Sequence, residues 1–176
     1  FFLFFDLNCP KIESFSETSN SIFITFEFCF IDFDEIFLQK NSKYADMSKV
    51  TAGITAVGKY VPDYILTNQE LESMVETNDE WIVTRTGIKE RRILKDADKG
   101  TSYLAIKASE DLLAKTGLDP KEIELIILCT ATPDMQAAST GAYVASEIGA
   151  VNAFSFDLES ACSSFLYGMS VASSYI

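Results

Sequence analysis

One cysteine of the chain stands where a nucleophile could work. Cys162 follows the apolar stretch 154–158 after a few small residues and precedes a stretch that is typical of a helix. A strand-to-helix turn projects a side chain above the sheet edge, and the free N–H groups and dipole of the helix start favour a thiolate. The small neighbours of Cys162 leave room for an acyl group on the sulfur. Position alone also fits a packed core cysteine, which is the reading we adopt for Cys129 inside the apolar run 125–129.

A second group of residues has the types needed to hold a nucleotide. Thr77, Trp81 and Arg85 are spaced four residues apart, so on a helix they would share one face. Such a face offers a hydroxyl, an aromatic plane that could stack on adenine, and a guanidinium that could hold phosphate. The only tryptophan of a chain also occurs in cores and interfaces, and the residues alone leave that alternative open.

Charge and composition narrow the class of partner. The formal net charge is -12, with 48% hydrophobic and 23% charged residues, as in ordinary globular proteins. So acidic a surface repels phosphate backbones, which argues against nucleic-acid binding. A short basic run suits a phosphate-bearing small ligand, although a solvated turn flanked by charges would explain the same residues. That run consists of Arg85, Lys89, Arg91, Arg92 and Lys95.

Several other sites and locations are not expected. The chain has no histidine, and its four cysteines form no CxxC pair, so we predict no metal site. Nothing resembles a secretion signal, so we also expect the thiols to be reduced. The first residues carry no basic secretion signal, and no apolar run reaches the ~18 residues of a membrane helix. We therefore expect a cytosolic protein without a membrane span.

The composition changes near residue 47. Of the 14 phenylalanines, 11 lie before that point, and the same stretch contains no glycine. We interpret residues 1–46 as translated upstream sequence or a fused leader, with the natural protein starting at Met47. The alternative is an accessory strand, because residues 26–30 and 32–34 partly alternate with period two. No chemistry is assigned to this segment in either case.

From Met47 onward the pattern predicts an α/β layered fold. A strand, a crossover helix and a second strand, both strands buried, imply a mostly parallel sheet. The last helix still runs at Ile176 without a cap, so we expect the carboxyl-terminal part to be missing. The predicted elements are a strand within 51–60, capping boxes at Thr67/Glu70 and Thr77/Glu80, a helix over 101–116, a turn at Asp119-Pro120, a strand at 125–129, a helix ending at Gly149, a strand at 153–158 and a helix from about Cys162.

Two stretches of the sequence resemble beta-ketoacyl-ACP synthase III, a family of condensing enzymes. Residues 67–72 (TNQELE) and 77–92 (TNDEWIVTRTGIKERR) look like the entrance region of that family. Residues 156–168 (FDLESACSSFLYG) are similar to its nucleophile motif. The two motifs have the right order and separation, and the resemblance covers about residues 49 to 176.

The resemblance implies a thiolase-like fold of two related halves, of which this chain, from residue 47 to 176, holds the first half only. It implies acyl transfer from acyl-CoA to Cys162, then decarboxylative condensation with malonyl-ACP to start type II fatty acid synthesis. In the family, the residues matching Trp81 and Arg85 contact the nucleotide end of coenzyme A, with the one matching Thr77 nearby. Acyl-CoA is then a substrate, no other cofactor is expected, and the full-length protein is expected to be a homodimer.

Three departures limit these expectations. The catalytic histidine and asparagine of the family lie in the second half, so condensation is expected to be beyond this chain. Many members carry a phenylalanine-proline pair around residues 135–139, and its absence here leaves the acyl preference open; Ser163 after the nucleophile is a milder change. The alternatives are a coenzyme A binding fragment without turnover, or a related condensing enzyme of the polyketide or hydroxymethylglutaryl type.

Overall fold

The computed structural model describes residues 2–6, 21–26 and 53–175. The chain divides into two compact units. The larger unit includes residues 53–60 and 100–175 together with the two amino-terminal strands, and the smaller unit includes residues 61–99. Each unit is described by itself below.

The described residues form seven strands and five helices. The strands are β1 (Phe2–Asp6), β2 (Ser21–Phe26), β3 (Gly53–Gly58), β4 (Ile65–Thr67), β5 (Glu90–Arg92), β6 (Ile123–Cys129) and β7 (Phe154–Leu158). The helices are α1 (Asn68–Glu72), α2 (Asp79–Thr86), α3 (Thr101–Thr116), α4 (Thr140–Ile148) and α5 (Ser164–Ser174), with 3-10 turns at Pro120–Glu122 and Ala161–Ser163.

The larger unit is built on a five-stranded sheet in the order β3-β1-β2-β6-β7. Strand β6 pairs in parallel with both β2 and β7, and β1 runs antiparallel to β2 and β3. Helix α4 is the crossover between the parallel neighbours β6 and β7, as the pattern of the sequence predicts. The α/β fold with crossover helices is confirmed. Among the described strands of this sheet, two pairings are parallel and two are antiparallel, so the sheet is mixed where the sequence predicted a mostly parallel one. Its parallel part carries Cys129 and leads to Cys162.

The core of the larger unit lies on both faces of β6. Six of the seven residues of this strand are buried, which fits its nearly continuous apolar sequence. Leu112 from α3 and Val144 from α4 pack with Ile126 on one face. Ala172 from α5 packs with Ile127 on the other face. Helices on both faces therefore keep water away from this strand.

The second strand of the crossover unit differs from its prediction. We expected a fully buried strand over 153–158, but β7 is only half-buried and the side chain of Phe154 is 51% exposed. The physical reason is that β7 is the last strand in the sheet order, so only one of its edges is paired. The apolar residues of this stretch, which also contains Ser155 and Asp157, were not sufficient evidence for burial on both faces.

Helix ends agree well with the sequence signals. Helix α3 stops at Gly117 and α4 at Gly149, both with a positive φ that glycine adopts without steric cost. Helix α5 begins after the 3-10 turn that contains Cys162, as expected. It ends at Ser174 and so does not run to Ile176, which lies outside the described residues.

Part of the amino-terminal segment takes part in the sheet. Strands β1 and β2 both lie within residues 1–46 and occupy the middle of the sheet order. The alternation predicted as an accessory strand over 26–30 and 32–34 lies, apart from Phe26, outside the described residues. The interpretation of residues 1–46 as a leader and of Met47 as the natural start stays a prediction.

Over the described parts of the chain, no helix has both the length and the apolar character needed to cross a membrane.

Candidate active site

Cys162 lies in a tight turn between β7 and α5. It is the middle residue of the 3-10 turn Ala161–Ser163, and its side chain is exposed. The turn is closed by two hydrogen bonds, from Ser160 N–H to Ser164 Oγ at 2.7 Å and from Ser163 N–H to the Ser160 carbonyl at 3.0 Å. Ser164 is fully buried, so the turn is anchored below while the thiol faces solvent.

The residue before the cysteine has a strained backbone. Ala161 has a φ of 43°, the only positive φ of a non-glycine residue in the described ranges. An alanine in the left-handed region costs about 1–2 kcal/mol, because its Cβ approaches the following carbonyl. Strain of this kind persists where the surrounding structure holds it, and it is frequent at functional sites. The sequence gives no sign of it, since alanine carries no turn signal.

Cys129 differs from Cys162 in burial and in the element that carries it. It is the last residue of β6, is 1% exposed, and pairs in register with Leu158 of β7. Burial raises the pKa of the Cys129 thiol to about 12. A thiol is nucleophilic as the thiolate, so Cys129 is unsuited to attack at neutral pH. The prediction that Cys129 is a core residue is confirmed.

Asp157 fastens β7 to the start of α4. Its carboxylate accepts hydrogen bonds from Ser139 Oγ at 2.9 Å and from the N–H groups of Thr140 and Gly141 at 2.7 and 2.8 Å. A carboxylate at a helix amino terminus satisfies free N–H groups and the helix dipole. Sequence reasoning missed this role, although an aspartate inside an apolar strand is a signal that could have pointed to it.

The smaller unit contains the predicted nucleotide-binding residues. Helix α2 begins at Asp79, and its N-cap is Asn78, whose Oδ1 accepts from Trp81 N–H at 2.8 Å. The predicted capping box at Thr77 is therefore wrong, since an asparagine one residue later competes for the same N–H groups and is an equally good cap. Thr77 precedes the helix and does not share a helical face with Trp81 and Arg85. The other predicted cap, Thr67 at the start of α1, is confirmed.

Trp81 and Arg85 stand together on an exposed face of α2. The Arg85 guanidinium carbon lies 4.9 Å from the Trp81 ring centroid, within cation–π distance, and the tryptophan is 54% exposed. Beside this ring is an open depression of about 450 Å³, which is lined by Glu76, Thr77, Asn78 and Trp81. Thr77 and Trp81 therefore line the same depression, although they do not share a helical face.

The residues of the basic run differ in whether their charged groups already hydrogen-bond within the smaller unit. Arg91 donates to Asn68 Oδ1 at 2.8 Å, and Arg92 donates to the carbonyls of Pro62 and Asp63 at 3.4 and 3.2 Å. These two guanidinium groups are therefore used to hold the small unit together. Among the described residues, Arg85 has no carboxylate or carbonyl partner and presents its charge at the tryptophan.

Comparison with known proteins gives a consistent result over most of the chain. The chain is 53% identical over 130 residues to the beta-ketoacyl-ACP synthase III of Porphyromonas gingivalis, covering 74% of this chain and 39% of that protein. Over these residues, the chain is similar to proteins of the beta-ketoacyl-ACP synthase III family. No family model matches the chain.

Solved structures agree with this similarity. The crystal structure of 3-oxoacyl-ACP synthase III from Aquifex aeolicus matches with a TM-score of 0.64 and 44% identity, over 68% of this chain and 38% of that chain. The priming beta-ketosynthase of the R1128 polyketide pathway matches with a TM-score of 0.64 and 36% identity, over 68% and 36% of the two chains. The fold is thiolase-like, and the chain spans 39% of the length of its P. gingivalis relative.

Proposed function

We propose that this chain is the acyl-accepting part of a beta-ketoacyl-ACP synthase III, with Cys162 as the nucleophile. The observation that carries the proposal is the exposed thiol on a strained turn between β7 and α5, in a chain similar to this family. The buried Cys129 serves as an internal contrast, because the pKa of its thiol is raised to about 12.

The proposed reaction is transfer of an acyl group from coenzyme A to the protein. The Cys162 thiolate attacks the thioester carbonyl, backbone N–H groups stabilise the oxyanion, and the bond from carbonyl carbon to the coenzyme A sulfur breaks. The leaving thiolate takes a proton and departs as free coenzyme A. Trp81 and Arg85 hold the nucleotide end by stacking and by charge, with Thr77 beside them. We propose no cofactor beyond this substrate.

In a longer protein the acyl group would then be condensed with malonyl-ACP, with loss of carbon dioxide, to start fatty acid synthesis. This step needs groups that activate malonyl-ACP, and the present chain contains no histidine. We propose that the full-length protein supplies them, acts as a homodimer and is located in the cytosol. The similarity to a priming beta-ketosynthase of a polyketide pathway supports a second candidate, priming of polyketide synthesis by the same acyl transfer.

The proposal is tested by measuring binding and turnover in one experiment. Trp81 is the only tryptophan of the chain, so quenching of its fluorescence reports coenzyme A at this site. On addition of acetyl-CoA we expect quenching together with release of free coenzyme A equal to the amount of protein. Cys162→Ala should bind acetyl-CoA and release nothing. Binding without release in the unaltered protein would favour a binding fragment over an acyltransferase.

Arg85→Ala provides the matched test of the nucleotide contact. Loss of one charged hydrogen-bonding partner should weaken coenzyme A binding by about tenfold or more. Lys107→Ala is the control, because its ammonium pairs with Glu110 on the surface of α3, which belongs to the larger unit. Equal affinity in the two variants would contradict the role of Arg85.

A further inference from the structure

Asn68 is a buried polar residue that the proposed reaction does not use. It is 0% exposed, and a buried amide is costly unless its donors and acceptor are paired. Its Nδ2 donates to Asp79 Oδ1 at 2.7 Å and to the Ile88 carbonyl at 2.8 Å. Its Oδ1 accepts from Arg91 at 2.8 Å, so the whole amide group is satisfied.

The two acceptors of the Asn68 amide lie at opposite ends of α2. Asp79 is the first residue of the helix, and Ile88 follows directly after Gly87, its C-cap. One side chain therefore clamps both ends of the helix that carries Trp81 and Arg85. Arg91, on the neighbouring strand β5, fixes the orientation of the amide through a charge-assisted hydrogen bond.

Besides Asn68 and its cap Asn78, helix α2 is held at its start by the Glu72 carboxylate, which accepts from Asp79 N–H at 2.6 Å. The helix has eight residues, and Ile82 is the only one of them that is buried. Isolated helices shorter than about 12 residues are marginal in water, so packing or hydrogen bonds must hold a helix of this length. Exposed side chains such as Trp81 cannot supply that anchoring.

We propose that Asn68 is a positioning residue for nucleotide recognition, which it serves by holding α2 so that Trp81 and Arg85 present one face to the ligand. The inference rests on the proposed function for its ligand, coenzyme A, and on the hydrogen bonds above for its mechanism. In this role, Asn68 of the 67–72 motif contacts neither the ligand nor the nucleophile.

The informative substitution is Asn68→Asp, which keeps size and removes the two N–H donors. The new carboxylate would face the carboxylate of Asp79, and the Ile88 carbonyl would lose its donor. The swap Asn68→Asp with Asp79→Asn returns an amide donor to this contact and leaves only the Ile88 bond unmade. A matched control is Asn152→Asp, where an exposed asparagine amide donates to the Lys121 carbonyl at 2.8 Å in the larger unit.

Three quantities are measured on the full chain. The first is the affinity for coenzyme A by Trp81 quenching, and the second is acylation of Cys162 by the acetyl thioester of N-acetylcysteamine, which lacks the nucleotide. The third is the time-resolved fluorescence anisotropy of Trp81 without ligand. If Asn68→Asp leaves α2 in its binding geometry about a tenth of the time, affinity falls about tenfold.

The expected result for Asn68→Asp is this weaker affinity, faster local motion of Trp81 and unchanged acylation by the small thioester. The swap should recover much of the affinity, and Asn152→Asp should change none of the three quantities. Unchanged affinity and anisotropy in Asn68→Asp would overturn the inference, as would an equal loss of coenzyme A affinity and of acylation by the small thioester. If the unaltered chain fails to bind coenzyme A, the proposed function is wrong, and the anisotropy alone decides whether Asn68 positions α2.

Discussion

The carboxyl ends of β6 and β7 present two cysteines in opposite environments. The strands are parallel neighbours, and Cys129 pairs in register with Leu158, four residues before Cys162. Cys129 ends a strand that is covered on both faces and has a thiol pKa of about 12. Cys162 lies beyond its strand, on a turn that returns to solvent.

This difference shows that the edge of a sheet does not by itself make a reactive site. Both cysteines lie near the same edge, and the turn is what separates them. The turn that contains the strained Ala161 and is hydrogen-bonded to the buried Ser164 places Cys162 outside the core. Cys129 instead lies within strand β6. Burying the Cys162 thiol should therefore lower its reactivity, and exposing the Cys129 thiol should raise its reactivity.

The largest expected contrast is in alkylation. With a pKa of about 12, on the order of one in 10,000 Cys129 thiols is ionised at pH 8, and the sulfur is also shielded. We expect iodoacetamide to modify Cys162 at least about a thousandfold faster than Cys129 in the native protein, as followed by mass spectrometry of the two peptides. Urea should remove the difference. Comparable alkylation rates at Cys162 and Cys129 in the native protein would contradict the difference in their environments.

A matched pair of serine substitutions should separate the two sites by stability. Cys129→Ser places a hydroxyl in an apolar strand and should lower the free energy of unfolding by about 1–3 kcal/mol. Cys162→Ser is on the surface and should change it by less than about 0.5 kcal/mol. Urea denaturation measures both values. A large loss for Cys162→Ser would mean that the thiol is part of the core.

A pair of glycine substitutions tests the strained turn. Ala161→Gly relieves a positive φ worth about 1–2 kcal/mol against an entropic cost of about 0.5–1 kcal/mol, so we expect a small gain in stability. Ala142→Gly, on an exposed position of α4, should cost about 1 kcal/mol. Thermal or urea unfolding of both variants checks the signs. Equal destabilisation by the two would show that Ala161 is not strained.

A further expected contrast is in the pH dependence of stability. The folded-state pKa of Cys129 is raised from 9.0 to about 12, so its contribution is complete below pH 9 and is lost as pH rises towards 12. Between these values the unfolded chain releases the thiol proton and the native chain retains it. The free energy of unfolding of the unaltered protein should fall more steeply above pH 9 than that of Cys129→Ala. Cys162→Ala should retain the steep slope.

Much of the larger unit could be predicted from the sequence because local signals and tertiary packing agree there. The glycines after α3 and α4 and the apolar run of β6 define these elements without knowledge of their neighbours. The exposure of β7 could not be read in the same way, since it depends on which strand is last in the sheet.

The candidate site was only partly predictable. The residue types of Cys162, Trp81 and Arg85 indicated the chemistry, but the cap of α2 at Asn78 depended on which of two adjacent side chains reaches the free N–H groups. The clamp by Asn68 joins residues 11 and 20 positions away, and no local pattern reports such a contact. The strain at Ala161 is likewise a property of the folded turn.

The most direct test of the account is to locate the acyl group after reaction with acetyl-CoA. The native chain is incubated with acetyl-CoA, digested at low pH to preserve thioesters, and the cysteine peptides are analysed by mass spectrometry. We predict an acetyl group on the peptide containing Cys162 and none on the peptide containing Cys129. Acetylation of Cys129, or no acetyl group on Cys162 in protein that binds coenzyme A, would contradict the assignment of Cys162 as the acyl acceptor.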